Sequence, residues 1–156
     1  MKKRIWSLIV CAIILSTVCV VKFQDQTPFK KAYAYVNSTN DVQLLARCVN
    51  GEARGEPYEG QVAVAAVILN RVKHPSFPNT IAGVIYQPRA FTATVDGQIH
   101  VPISPNSTVY KACQDAMNGW DPSNGAVYYY NPRKTTNQWI YSREVVKVIG
   151  SHRFAK

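Results

Sequence analysis

The chain has 156 residues and a formal net charge of +9, from 18 basic and nine acidic side chains. Beyond residue 34 there are twelve bases and eight acids, an excess of only +4 without charge runs. This mild excess argues weakly for a nucleic-acid-binding protein and suits a polyanionic partner such as a bacterial wall. The sequence contains no Cys-x-x-Cys motif or Cys/His cluster. A structural zinc site is therefore not expected, and no metal or other cofactor is predicted.

The N-terminal segment predicts export. Basic residues 2–4 precede an apolar run over residues 5–21, the pattern of a secretory signal. The run is short for a spanning helix, which needs about 20 apolar residues. Cleavage after Ala34 would make residues 1–34 a signal peptide, and retention would leave residues 5–21 as an N-terminal membrane anchor. Either outcome places the remaining chain outside the cytosol, with residues 35–40 as a linker.

Two helices are predicted next. Asn40 is a good N-cap, and Gln43 stands three residues later in capping-box register. Apolar residues at helical spacing follow, and this first helix is expected to end near Glu52. Pro57 suits the first turn of a second helix. The unbroken apolar run Val62–Leu69 predicts that the second helix is buried.

Shorter elements fill the rest of the chain. Asn79 is predicted to cap a short helix that runs through Tyr86. Asp96-Gly97 lies between two apolar segments and predicts a β-hairpin over residues 91–101. Another helix should begin at Asn106 or Ser107 and stop at Gly119. Three strands are predicted after it, over Ala126–Tyr130, Val145–Ile149 and His152–Ala155. The fold class expected is α+β, a small domain over residues 41–156 with helices first and a short antiparallel sheet late.

The cysteines of this domain are Cys48 and Cys113. Both fall on apolar faces of predicted helices. Export would permit a disulfide between them, but two buried free thiols are the favoured interpretation.

Glu52 is the main catalytic candidate. It lies one helical turn beyond Cys48, on the same apolar face, and should point towards the interior or a cleft wall. Partial burial and the negative end of the helix dipole both favour a protonated carboxyl, which a general acid requires. The alternative is an exposed glutamate that pairs with Arg54 or Arg47.

The other acids offer weaker candidates for a second catalytic carboxylate. Glu56 and Glu59 flank Pro57, where they would interact favourably with a helix N-terminus. Asp96 and Asp121 are explained by the turns in which they occur. Ordinary glycoside hydrolysis uses two carboxylates, and no convincing partner for Glu52 emerges from the sequence.

Six segments between residues 52 and 152 carry the motifs of one known family. They are Glu-Ala-Arg-Gly-Glu-Pro-Tyr-Glu-Gly-Gln-Val-Ala-Val-Ala-Ala-Val-Ile-Leu-Asn-Arg-Val (52–72), His-Pro-Ser-Phe-Pro (74–78), Phe-Thr-Ala (91–93), Asn-Gly-Trp-Asp-Pro (118–122), Tyr-Tyr-Tyr-Asn-Pro (128–132) and Ile-Gly-Ser-His (149–152). In this order they resemble the SleB/CwlJ type of cell-wall hydrolases, the spore cortex-lytic enzymes. The resemblance covers about residues 41–156. Longer members carry an N-terminal peptidoglycan-binding repeat, whereas a short tether stands there in this chain.

The resemblance implies a fold and a reaction. The fold would be similar to lysozyme-like and resuscitation-factor-like domains. The reaction would be lytic cleavage between N-acetylmuramic acid and N-acetylglucosamine, with Glu52 as the catalytic acid. A lytic transglycosylase needs one carboxyl because the 6-hydroxyl of the substrate attacks the anomeric carbon and leaves a 1,6-anhydro end. The shortage of a second carboxylate fits this mechanism, although a hydrolytic outcome stays open.

The predicted partner is the peptidoglycan glycan strand, from spore cortex or vegetative wall, and a monomer is expected. Aromatic rings stack on sugar faces, and polar side chains orient them. Strand alternation places two of the three adjacent tyrosines on one face and Tyr129 on the other, and the sequence does not say which face lines the cleft. The candidate substrate-binding residues are Glu56, Gln61, Phe91, Trp120, Tyr128, Tyr130, Asn131 and Trp139.

Three other functions remain open at this stage. A zinc amidase acting on N-acetylmuramoyl-L-alanine would need ligands from His74, His100 and His152, which have no tight ligand spacing. A thiol peptidase would use Cys48 or Cys113 with a histidine. A non-catalytic wall-binding module would share the aromatic residues and the basic excess without requiring Glu52.

Overall fold

A computed structural model of the protein describes the backbone of residues 28–156 and the side chains of residues 39–156. The predicted apolar leader, residues 5–21, lies outside the described residues. No helix within the described part combines the length and the hydropathy needed to cross a membrane. Residues 39–156 form one compact unit, and every contact given below belongs to it.

Four α-helices are described: α1 (Pro28–Ala53), α2 (Tyr58–Lys73), α3 (Ile81–Ile85) and α4 (Thr108–Met117). The predicted start of the first helix at Asn40 is wrong, because α1 begins at Pro28. Neither glycine nor proline occurs over residues 29–50, and the polar residues before Asp41 carry only modest helix penalties, so nothing interrupts the helix there. The predicted end near Glu52 is confirmed.

The core forms between α2 and its neighbours. Every residue from Val62 to Ile68 is buried, as the apolar run predicted. From α1, Leu45, Cys48 and Val49 are fully buried, and from α4 the buried set includes Cys113. Both cysteines are free thiols within this core, which confirms the favoured interpretation over a disulfide.

Helix caps set two of the loop boundaries. Ser107 caps α4 by accepting a hydrogen bond from the Tyr110 amide (3.2 Å), as predicted. Thr80, and not Asn79, caps α3, because its hydroxyl accepts from the Gly83 amide (3.0 Å). The prediction missed this start by one residue, since both side chains are capable caps.

The β-hairpin predicted over residues 91–101 is wrong. This segment forms two 3₁₀ turns, Thr92–Thr94 and Gln98–His100. Its hydrogen bonds are local: the Val95 amide donates to the Thr92 carbonyl (2.9 Å), and Asp96 Oδ1 accepts from the Gln98 amide (3.0 Å). The end of α1 packs directly on this segment, because a Cβ at Gly51 would meet Ala93 Cβ at 2.7 Å. Tertiary packing therefore overrides the local hairpin preference.

Within residues 28–156, three antiparallel strands follow the helices: β1 (Tyr128–Tyr130), β2 (Val145–Ile149) and β3 (His152–Ala155). The sheet order is β1-β3-β2, and Tyr129 pairs with Phe154. The three predicted strands are confirmed, with β1 shorter than expected. Helices followed by a small antiparallel sheet also confirm the predicted α+β class.

Candidate active site

Glu52 lies in the last turn of α1, half-buried, and three donors hold its carboxyl group. Oε1 accepts from Thr92 Oγ1 (2.8 Å) and from the Ala93 amide (3.2 Å), and Oε2 accepts from the Tyr129 hydroxyl (3.0 Å). Arg54, one of the two partners considered in the surface interpretation, donates instead to Gln98 Oε1 (3.4 Å). The side chain thus faces a cleft wall, as the helical spacing predicted.

Tyr129 contacts the candidate acid, a role that the sequence did not assign to it. Its half-buried ring packs against His152, with 5.2 Å between ring centroids, and against Phe154 at 6.2 Å. Burial, followed by the nearby charge of Glu52, raises the pKa of Tyr129 well above its ordinary value. Its hydroxyl therefore stays protonated and donates to Glu52 over the working pH range. Strand alternation had separated Tyr129 from its neighbours without showing which side meets the cleft.

Glu56 joins the start of α2 to the turn between β2 and β3. Its carboxylate accepts from the Ser151 amide (2.9 Å) and from the Ser151 hydroxyl. Burial opposes ionisation of Glu56, but the two bonds from Ser151 outweigh it and lower its pKa. Gly150 has φ +56°, and a Cβ there would meet Glu56 Oε2 at 2.1 Å. A glycine is therefore required for this contact.

His152 follows this turn and is buried. Burial lowers its pKa, although the nearby Glu56 and Glu52 oppose the shift. Its Nδ1 has no hydrogen-bond partner among the described residues. A neutral imidazole with an unpartnered ring nitrogen is thus held beside Glu52 and Tyr129. The sequence had placed His152 in a family motif and among the histidines of the rival chemistries, without a role beside Glu52.

Three adjoining cavities form one groove, with Glu52 in its middle part. The outer cavity beside Glu56 has a volume of about 520 Å³, the central one about 420 Å³, and the third about 360 Å³. The outer and central cavities share Gly51, Glu52, Asn131, Lys134 and His152. The central and third cavities share Arg71, Arg89, Ala90, Tyr129, Tyr130 and Thr135. A groove with the candidate acid at its centre suits an extended chain cleaved internally.

Five of the predicted substrate-binding residues line this groove. Glu56 lies in the outer cavity, and Asn131 lies in both the outer and the central cavity. Tyr130 lies in the central and third cavities, and Tyr128 and Trp139 line the third. The expected division of the tyrosines into one core set and one cleft set is not seen, because all three border the groove.

Three other predicted substrate-binding residues do not border the groove. Phe91 is only 3% exposed and packs in the core. Gln61 is buried and donates to the Glu56 backbone carbonyl (3.1 Å). Trp120 is 45% exposed and packs near Tyr58, with 6.0 Å between ring centroids. The structure gives the first two packing roles and does not bring the third to Glu52.

Asp96 and Asp121 have the turn roles that the sequence anticipated. Asp96 stabilises its own turn. Asp121 accepts from the Ser123 amide (2.9 Å), the Asn70 side chain (2.9 Å) and the Gly125 amide (3.0 Å). Burial opposes ionisation of Asp121, and these bonds outweigh it and lower its pKa. Among residues 39–156, only Glu52 and Glu56 bring carboxylates to the groove.

The residues that the rival chemistries require differ in exposure and in protonation. His74 and His100 are exposed, whereas His152 is buried in the groove wall. Within the described residues, no three His, Cys, Asp or Glu side chains cluster closely enough to hold a metal ion. Burial raises the pKa of the Cys113 thiol to about 12 and raises that of Cys48 as well. Buried, protonated thiols are poor nucleophiles.

Comparison with known proteins gives the class that this fold and site define. A family model described as Cell Wall Hydrolase matches residues 55–155, so the chain belongs to the cell wall hydrolase family. The resemblance seen in the sequence is thereby confirmed.

Individual relatives narrow the comparison. Spore cortex-lytic enzymes of Bacillus cereus and Bacillus subtilis are 60% and 59% identical to this chain over 119 residues. Those matches cover 76% of this chain but only 45% and 38% of the relatives. The chain therefore spans less than half the length of these curated relatives. The cell wall hydrolase CwlJ of Bacillus subtilis is 30% identical, over 78% of this chain and 89% of its own length.

Two solved structures share the fold. The catalytic domain of the Bacillus cereus SleB protein superposes with a TM-score of 0.71 at 60% identity, over 76% of this chain and 91% of that one. The catalytic domain of SleB from Bacillus anthracis, described as a germination-specific lytic transglycosylase, also gives 0.71 at 60% identity, over 75% and 94%. The predicted lysozyme-like fold is confirmed by these matches.

Proposed function

We propose that this protein cleaves peptidoglycan glycan strands as a lytic transglycosylase, acting between N-acetylmuramic acid and N-acetylglucosamine. The observation that carries the proposal is the position of Glu52. Its carboxyl group lies at the middle of a continuous groove, and two side-chain hydroxyls and one backbone amide fix its orientation. The relative from Bacillus anthracis, whose description names lytic transglycosylase activity, supports the reaction type.

One carboxyl group can perform both proton transfers. Neutral Glu52 donates its proton to the glycosidic oxygen as the bond to the anomeric carbon breaks. The resulting carboxylate then accepts the proton of the sugar's 6-hydroxyl, whose oxygen bonds to that carbon and gives a 1,6-anhydro end. The attack is intramolecular, so no second carboxylate has to activate water. The donors around Glu52 stabilise the carboxylate that forms between the two transfers.

The other acid in the groove is poorly suited to act as a nucleophile or base. Both Glu56 oxygens accept hydrogen bonds from Ser151, and these bonds attach the carboxylate to the β2–β3 turn. A carboxylate stabilised in this way has a lowered pKa and therefore a lowered basicity. Its position is better suited to shaping the groove beside the bond to be cleaved.

The N-terminal segment gives the chain a proposed location outside the cytosol and a proposed division into leader, linker and catalytic domain. Residues 1–34 would act as a cleaved signal peptide, or residues 5–21 as a retained membrane anchor. Residues 35–40 would link this segment to the catalytic domain at residues 41–156. The domain would then meet peptidoglycan outside the cytosol, as a monomer without a cofactor. The substrate class includes spore cortex and vegetative wall.

The test compares Glu52→Gln with Glu59→Gln, a matched loss of one carboxyl at an exposed site. General acid–base catalysis contributes about 10²- to 10⁴-fold, so Glu52→Gln should lower fragment release at least about 100-fold. Glu59→Gln should release fragments at the parent rate. Thermal melts of both variants verify that they are folded.

Mass spectrometry of the digest identifies the bond cleaved. Anhydro ends are expected. Reducing ends would replace the transglycosylase by a hydrolase, and freed peptides would favour an amidase. Undiminished fragment release by Glu52→Gln would refute the assignment of the acid, and binding without any cleavage by the parent would favour a wall-binding module.

A further inference from the structure

We propose that the third cavity of the groove is a sugar-binding subsite remote from the reacting bond, in which Arg143 holds the Trp139 ring in position for stacking. The inference rests on the proposed function and adds a dependence on the length of the glycan. Glu52 lines the outer and central cavities, whereas Trp139 lines the third. A sugar bound beside Trp139 therefore lies outside the two cavities that contain the candidate acid.

The backbone around Trp139 is anchored on both sides. Trp139 belongs to a 3₁₀ segment, Gln138–Ser142. Its amide donates to Asn137 Oδ1 (3.1 Å), and its carbonyl accepts from the Ser142 hydroxyl (2.8 Å). The next residue, Ile140, is buried in the wall of the same cavity. The segment thus presents the Trp139 side chain, which is 46% exposed, from a fixed backbone.

One face of the Trp139 indole is covered by Arg143. The guanidinium carbon lies over the ring, 4.2 Å from its centroid, and 5.6 Å from the centroid of Tyr128. The Tyr128 and Trp139 rings meet edge to face, with 5.2 Å between centroids. A ring beneath the opposite face of the indole would be much farther from Arg143 than Tyr128 is. That opposite face therefore carries neither of these two neighbours.

The contact with two rings is what orients Arg143. Its Nε is buried and has no hydrogen-bond partner among the described residues. A buried donor without a partner is unfavourable, and the cation–π contacts with Trp139 and Tyr128 offset part of that cost. A planar guanidinium stacks flat on an aromatic ring, which a lysine ammonium cannot do. Arg143 thereby restricts the rotation of an indole that is otherwise half exposed.

The chemistry of the third cavity suits a sugar ring. An aromatic face accepts the apolar face of a pyranose, while polar groups at its rim bind the hydroxyls. The cavity, with a volume of about 360 Å³, includes the side chains of Gln87, Thr135 and Asn137 beside Trp139. It continues the central cavity through shared lining residues. A glycan strand that passes Glu52 thus reaches Trp139 only if it extends beyond the sugars at the reacting bond.

The experiment measures kcat and KM of the full chain on soluble glycan fragments sorted by length, from tetrasaccharide to decasaccharide. The fragments are prepared from the peptidoglycan that the parent protein cleaves. Trp139→Ala should raise KM about five- to tenfold for the long fragments, because one stacking contact is lost. It should leave kcat unchanged, since the contact is made equally in the ground state and the transition state. The KM of the shortest fragment that is cleaved should not change.

A matched tryptophan provides the control. Trp120 is 45% exposed and borders none of the three cavities. Trp120→Ala should therefore leave KM at the parent value for every length. Both substitutions alter exposed side chains, so this comparison does not depend on tolerance of a change in the core.

Substitutions of Arg143 test its positioning role. Arg143→Gln should raise KM of the long fragments about threefold at constant kcat, and Arg143→Lys, which keeps the charge without the flat contact, should fall between it and the parent. Arg153→Gln, the loss of an exposed arginine outside the three cavities, should have no effect. If Arg143 acts through Trp139, adding Arg143→Gln to Trp139→Ala should raise KM no further. Thermal melts verify that each variant is folded.

Three results would overturn the subsite or its support. An unchanged KM for long fragments in Trp139→Ala, or an equal rise at every length, would refute a remote stacking site. Effects of Trp139→Ala and Arg143→Gln that multiply in full would refute the positioning role of Arg143. A parent protein that releases no fragments from any glycan would count against the proposed function itself, whereas cleavage with no dependence on Trp139 would refute the subsite alone.

Discussion

Replacement of Tyr129 by phenylalanine removes one donor from the candidate acid and leaves the ring in place. Glu52 Oε2 loses its bond from the Tyr129 hydroxyl (3.0 Å), while Oε1 keeps its bonds from Thr92 and Ala93. A hydrogen bond to a charged group contributes about 1.5–3 kcal/mol. The bond is present in the resting enzyme too, so only part of that energy should reach the transition state. At about 1.4 kcal/mol per tenfold, the expected fall in kcat is roughly tenfold.

The assay is release of soluble fragments from peptidoglycan, with kcat and KM determined separately for Tyr129→Phe and for Tyr86→Phe. Tyr86 is exposed and borders none of the three cavities, so its variant controls for the loss of a phenol. The change should fall on kcat, because Tyr129 contacts the acid. The raised pKa of Tyr129 keeps its hydroxyl protonated, so the fold-loss should stay constant between about pH 5 and 9. A loss as large as that of Glu52→Gln, or no loss, would refute the positioning role.

Three further predictions concern stability and reactivity. Gly150→Ala places a side chain at a left-handed backbone position and displaces the hydrogen-bonded Glu56 carboxylate. It should lower the free energy of unfolding, measured in urea, by about 2–4 kcal/mol. Gly97→Ala, which meets the same backbone strain without a clash, should lower it by about 1–2 kcal/mol. Equal costs would contradict the clash. Cys48 and Cys113 should be alkylated more than about 100-fold more slowly in the native than in the unfolded chain at about pH 8, checked by peptide mass spectrometry. Asp121 has a lowered folded-state pKa, so its stabilisation is present above about pH 4 and is lost on acidification. Asp121→Asn should therefore flatten the acid limb of stability measured by urea unfolding, and an unchanged limb would contradict this.

Sequence patterns that involve a single helix or strand predicted the structure correctly. The apolar run of α2, the Ser107 cap and the late strands all occur where the sequence indicated them. The position of Glu52 followed from one helical turn beyond Cys48, because that spacing places both on one face. Each of these features depends on residues that are close in sequence or on one face of one element.

Features that depend on distant contacts were not predictable. Residues 91–101 carry the turn signal of a hairpin, yet Ala93 packs against Gly51 at the end of α1, and the segment curls into 3₁₀ turns. That same contact brings the Ala93 amide to Glu52. Likewise, alternation separated Tyr129 from its neighbours but could not show which side of β1 faces α1. Such assignments need the packing of two elements that lie about 40 to 80 residues apart.

The strand order β1-β3-β2 determines when the surroundings of Glu52 are complete. β3 follows β1 and β2 along the chain but is the middle strand of the sheet, so β1 and β2 both lack their hydrogen-bonding neighbour until β3 arrives. Tyr129, on β1, is held in register only by that late strand. During synthesis, α1, which bears Glu52, emerges long before the strand that completes its surroundings. A polypeptide in which β3 has not yet joined the sheet therefore carries the acid without its full set of donors.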